Sequence, residues 1–125
     1  MSLNIHVSYD TPAACRLVLN GRLDNNTAPS LNSLIDDIID GQFSVLVFDL
    51  GGVEFISHEA LTILFKGSLQ IQARGGKAGL LHLQPQIRQQ LAELDSMPEM
   101  PMFEDDSDLD HYLTLLQQKA PRVRH

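Results

Sequence analysis

The run Val45-Leu46-Val47-Phe48-Asp49-Leu50 constrains this chain more than any other stretch. It is too uniformly apolar for a strand with one wet face. Such a run belongs to a strand covered on both sides, in the centre of a parallel sheet. Parallel neighbours cannot be joined by tight hairpins and need crossover connections, usually helices. Gly51-Gly52 directly after it predicts a tight exit from the strand.

The rest of the chain supplies the alternation that this strand demands. "LNIHVSY" (3–9) puts Leu3, Ile5, Val7 and Tyr9 on one face and Asn4, His6 and Ser8 on the other, the pattern of an edge strand. Asp10-Thr11-Pro12 marks a turn, and "ACRLVLN" (14–20) returns with Cys15, Leu17 and Leu19 on one face, so the two pair as a hairpin. Leu31, Leu34, Ile35, Ile38 and Ile39 form the stripe of an amphipathic helix, which Asn26 or Thr27 can cap and Gly41 ends. After the central strand, a helix runs from Ser57 to about Arg74, with Leu61, Leu64, Phe65 and Ile71 inward. Lys66, Gln70 and Arg74 make an outward ridge on it. "KAGLLHL" (77–83) is a further strand, on which His82 reads as a satisfied core or edge histidine. "PQIRQQLAEL" (85–94) is a helix with Gln90 on its neutral outer side. The segment 95–103 reads as irregular, ending in a short edge strand near Phe103, and a last helix is capped by Ser107. The order is ββαβαβαβα: an α/β fold with a mostly parallel sheet and an N-terminal antiparallel edge strand. One domain over 1–118 is expected, with a disordered basic tail over 119–125.

Composition narrows the function. Nine basic residues against sixteen acidic give a net charge of −7, which repels nucleic-acid backbones and anionic lipid. The single cysteine, Cys15, leaves no disulfide within the chain and no cysteine cluster for zinc, and reads as a buried structural thiol. No apolar stretch approaches the ~20 residues of a membrane span, so a cytoplasmic protein without membrane insertion is expected. No cofactor or metal is expected.

Sites in open α/β sheets lie beyond the carboxyl ends of the strands. Two segments leave such ends, "NGRLDNNT" (20–27) and "GGVEFISHEAL" (51–61). If their strands are neighbours, Asp24 and Ser57 face each other. Three stretches then carry a resemblance: "GRLDNNTA" (21–28), "VLVFDLGGVEFI" (45–56) and "GGKAGLL" (75–81). With the element order, they resemble the STAS domain, the family of sulphate transporters and anti-sigma factor antagonists, from about Leu3 to Leu116. In the antagonists, the segment after the third strand reads close to Asp-Ser-Ser-Gly-Leu, and a partner kinase phosphorylates its first serine. The same positions here read Ser57-His58-Glu59-Ala60-Leu61. The phosphoacceptor position is His58, which a Ser/Thr kinase cannot modify. Ser57 keeps a hydroxyl one residue early, where it is the natural N-cap, and is a weak acceptor. Asp24 matches the family's acidic residue beside that loop.

The resemblance implies a non-enzymatic interaction module, monomer or weak dimer. Its partner would be a kinase-like anti-sigma factor or related signalling protein, held at Asp24, Asn25, Thr27, Ser57, His58, Glu59 and Leu61. The alternative is an accessory STAS subunit of a bacterial lipid-transport ABC system, docking on its ATPase. Asp24, Glu54 and Glu59 would form an acidic rim beside a basic ridge of Lys66 and Arg74. Catalysis is disfavoured, because adjacent Ser and His side chains at a helix start point apart, whereas a triad needs them in contact.

Overall fold

The apolar run does lie mid-sheet. The computed structural model describes residues 3–41, 43–94 and 100–119. In chain order the elements are β1 (Leu3–Thr11), β2 (Ala14–Leu23), α1 (Ala28–Ile39), β3 (Val45–Ile56), α2 (His58–Ala73), β4 (Lys77–Leu81), α3 (Pro85–Ala92), β5 (Met102–Phe103) and α4 (Asp106–Lys119). They build one five-stranded sheet in the order β1-β2-β3-β4-β5. Only the β1–β2 pair is antiparallel, and the class and element order are those expected. The expected domain limit falls in the last turn of α4. Residues 95–99 and 120–125, parts of the expected irregular stretch and tail, lie outside the described residues.

Each crossover steps one strand in the same direction, so the right-handed rule puts α1, α2 and α3 on one face. Their apolar residues, Leu31 and Ile35, Leu61, Leu64 and Ile71, Ile87 and Leu91, share one core with Leu17, Leu19, Leu46 and Phe48. On the opposite face, Leu109 and Leu113 of α4 cover Ala14, Val45, Val47 and Leu81. Alternate residues of β3 therefore enter different cores, which is why its sequence does not alternate. Cys15 is fully buried, and burial pushes its thiol above the ordinary value, so it is a packing residue.

Several local expectations need correction. Gly51-Gly52 is no exit: β3 continues through it to Ile56. The glycines serve close approach instead, since a Cβ on Gly52 would lie 1.7 Å from Asn20 Oδ1. Facing them, β2 shifts register twice and passes through Gly21 at φ 122°, a conformation that favours glycine. Thr27 stands at the N-cap position of α1 in a helical conformation and makes no side-chain cap. Asp24 instead closes the turn ahead of this helix, its carboxylate accepting from the Asn26 and Thr27 amides and its carbonyl from those of Thr27 and Ala28. In α4 the cap is Asp105 rather than Ser107, with Asp105 Oδ1 accepting from the Asp108 amide at 3.0 Å. Both corrections have one cause: a short carboxylate ahead of the apolar stripe reaches amides one turn on, and periodicity does not register it.

Candidate functional site

β2 and β3 end side by side. Leu23 pairs with Ile56, and the Ser57 amide donates to the Leu23 carbonyl at 2.7 Å. The segment 24–27 and the start of α2 therefore meet at one rim, beyond the carboxyl ends of their strands. Among the described strands the order never reverses, so this rim is not a topological switch point.

The loop half of the rim is tightly bonded. Asp24 Oδ1 accepts from the amides of Asn26 at 3.0 Å and Thr27 at 3.1 Å. In return, Thr27 Oγ1 accepts from the Asp24 amide at 3.0 Å and donates to the Arg22 carbonyl at 2.7 Å. Arg22 Nε lies 3.4 Å from Asp24 Oδ2. Desolvation pushes the Asp24 carboxyl up, but the Thr27 and Asn26 amides and the Arg22 guanidinium outweigh it and hold the group below its ordinary 3.8. Asn25 is exposed beside it.

The helix half is simpler. Ser57 is extended, with ψ 163°, and its Oγ accepts from the Ala60 amide at 3.1 Å. Its hydroxyl oxygen is thus engaged as the N-cap. His58 and Glu59 are exposed, and Glu59 complements the helix dipole. Among the described residues no hydrogen bond joins Ser57 to His58, so the two do not form a nucleophile–base pair here. Leu61 is only 3% exposed and belongs to the core, which removes it from the expected contact surface. Two residues that periodicity did not single out are exposed at the same rim. The Arg22 guanidinium lies over the Phe55 ring, 4.5 Å from its centre, and Phe55 is 40% exposed. An outward aromatic beside a cation on the facing strand was the available signal.

α3 buttresses this rim. β4 pairs with β3 only as far as Asp49, so β3 projects beyond it with carbonyls facing no strand. Glutamine side chains take them: Gln84 Nε2 donates to the carbonyls of Gly51 at 3.0 Å and Val53 at 2.8 Å, and Gln90 Nε2 to that of Ile56 at 2.7 Å. Gln90 is consequently a supporting residue and not the neutral surface position its periodicity implied.

The model of the STAS domain family matches residues 6–108. The chain belongs to the STAS domain family. Among solved structures, this STAS domain is similar to an anti-sigma factor antagonist from Mycobacterium paratuberculosis, with 27% identity, a TM-score of 0.73 and coverage of 93% of this chain and 95% of that one. A putative anti-sigma factor antagonist from Thermotoga maritima superposes with a TM-score of 0.76 at 16% identity, over 88% and 94% of the two chains. The phosphorylated form of the Bacillus cell-fate determinant SpoIIAA superposes at 0.68 with 16% identity, over 88% and 99%. No curated protein matches the sequence. Among the described residues, no helix is long and apolar enough to cross a membrane.

The expected basic ridge of this STAS domain does not form as such. Arg74 turns back onto the C-terminal end of α1, donating to the carbonyls of Ile39, of Gly41 at 2.9 Å and of Phe43 at 3.1 Å. Its charge thereby complements the negative end of that helix. A second polar cluster lies on the α4 side of the sheet. Asp49 is 7% exposed; its Oδ1 accepts from the Gly51 amide at 3.0 Å and lies 3.0 Å from His82 Nδ1. His82 adopts φ 60°, and Arg16 reaches Asp10 at 2.8 Å, Asp106 at 3.1 Å and Asp49 at 3.6 Å. Burial opposes the Arg16 charge, but its bonds to Asp10 and Asp106 prevail and hold its pKa above the ordinary arginine value. A carboxylate inside a doubly covered strand was the legible sign of this cluster, because buried charges require partners.

Proposed function

We propose that this domain is a non-enzymatic docking module of the anti-sigma factor antagonist type, acting in the bacterial cytoplasm without a serine switch. Its partner is a kinase-like anti-sigma factor or related signalling protein. The contact surface is Asp24, Asn25, Thr27, Ser57, His58 and Glu59, extended by Arg22 and Phe55. The observation that carries this reading is the exposed His58 at the first position of α2, beside a Ser57 whose oxygen is engaged as a cap. The docking rim is retained while the group a kinase would modify is replaced. Phosphorylation works by adding ~1.5–2 negative charges to such a surface, and an imidazole denies a Ser/Thr kinase its acceptor.

The test mimics the missing charge. The partner is captured from the native cell, identified by mass spectrometry, and titrated calorimetrically. His58→Asp should weaken binding roughly tenfold, ~1.4 kcal/mol, by repulsion and desolvation, while thermal melts stay close to wild type because a helix N-terminus tolerates acids. Ser33→Ala, exposed on α1, is the control. If His58→Asp binds as tightly as wild type, the rim is not the interface. A captured ATPase subunit would instead move the domain to the lipid-transport role.

A further inference from the structure

β1 is an edge strand, and its outer side has no partner among the described residues. In an antiparallel pair, alternate residues direct their N–H and C=O groups away from the neighbour, so β1 offers a row of open donors and acceptors. Natural edges are blunted by lysines, prolines, bulges or short length. Here the stretch Leu3 to Tyr9 pairs regularly with β2, and the register shift comes only between Tyr9 and Thr11. In a chain of net charge −7, these residues, Leu-Asn-Ile-His-Val-Ser-Tyr, include no Lys, Arg, Asp or Glu and no proline. This is a strip on which two such acidic chains can meet without bringing formal charges together.

The stretch is also self-complementary. We propose that two copies of this chain join edge to edge through β1, antiparallel about a two-fold axis at His6, fusing their five-stranded sheets into one. Leu3 then lies opposite Tyr9 of the second copy, Ile5 opposite Val7, Asn4 opposite Ser8, and His6 opposite itself. Leu3, Ile5 and Val7 are half-buried against the main core, whereas Tyr9, on the same face, is 58% exposed. The pairing gives that ring an apolar neighbour across the junction. A parallel pairing of the same edges would set the apolar face of one copy beside the polar face of the other. The antiparallel two-fold keeps like faces together and closes the assembly at two copies. It also points the two rims in opposite directions, so the assembly presents both. The inference does not depend on what the rim binds.

Sedimentation of the full chain over a concentration series should show a mass rising from one chain to two and stopping there. His6→Lys sets like charges directly opposite each other, and should leave monomer at concentrations where wild type is half dimeric. His6 is exposed, so the fold is expected to survive, with circular dichroism as the check. A crosslinking arm is independent of charge. Directly opposed residues in an antiparallel pair have Cα atoms ~4.5–5.5 Å apart, within the bridging range of a disulfide. His6→Cys should therefore form a covalent dimer under mild oxidation, whereas Ser33→Cys should not, and the buried Cys15 does not compete. Wild type that stays monomeric throughout, assembly beyond two copies, a His6→Lys variant that dimerises normally, or equal crosslinking at positions 6 and 33 would each overturn the proposal.

Discussion

Replacing Arg74 by methionine separates a surface cation from a structural one. By periodicity Arg74 is the last residue of an exposed ridge, and such substitutions change stability by no more than about 0.5 kcal/mol. The structure puts its guanidinium on the carbonyl of Ile39 at the end of α1 and on those of Gly41 and Phe43 in the connection that follows, and 5.6 Å from the centre of the Phe43 ring. Hydrogen bonds from a charged donor contribute about 1.5–3 kcal/mol when well shielded. Arg74 is exposed, so water replaces part of each bond and the three do not add. A helix-dipole contribution of about 0.3–1 kcal/mol and a cation–π contribution of about 0.5–1 kcal/mol belong to the same group. Methionine keeps the stem and the helix propensity but none of these interactions. The expected loss is ~2 kcal/mol, which for a domain of this size lowers Tm by roughly 8 °C. Arg74→Lys, with a point charge and no fork, should recover less than half of it. Urea denaturation and calorimetric melts measure the loss, with Lys66→Met, exposed two turns earlier, as the surface reference. A stability for Arg74→Met within about 0.5 kcal/mol of wild type refutes the capping role and restores the ridge.

Gln90→Ala should destabilise the fold by ~1 kcal/mol, because the part-buried Ile56 carbonyl loses its donor; chemical denaturation checks it, and a neutral result would mean that water replaces the amide. Asp49→Ala removes the acceptor of the Gly51 amide and the partner of His82 Nδ1, while Arg16 keeps Asp10 and Asp106, and should cost about 2 kcal/mol, read from the same denaturation curves. The Asp24 carboxyl is held below its ordinary 3.8 in the folded chain, so the unfolded chain takes up the proton first as pH falls. Its contribution is complete above that ordinary value and is lost as pH falls through the lower folded one. The stability advantage of wild type over Asp24→Asn should accordingly be constant near neutrality and shrink in that acid range, as a pH series of denaturation curves would show.

Much of this molecule is written locally. The unalternating run at 45–50 requires cover on both faces, and Leu46 with Phe48 on one side and Val45 with Val47 on the other meet it. The stripes of α1 and α2, the β1–β2 hairpin and the Ser57 cap follow from spacing and side-chain reach alone, because helical and strand periods are properties of the backbone. The placement of Asp24 near Ser57 was legible only as a condition, that β2 and β3 be neighbours. What only the tertiary structure decided are partnerships across long separations in the chain. Arg74 finds the end of α1 and the connection after it 31 to 35 residues away, Gln90 finds Ile56 at 34, and Arg16 finds Asp106 at 90. Each of these side chains looks like a solvated surface group in its own helix or strand, since periodicity records which side of an element a residue occupies and not what the next element brings there. A flexible polar side chain at the margin of a core bonds whatever unpaired carbonyl or carboxylate the packing leaves within reach, and that choice is made by the assembled sheet and helices.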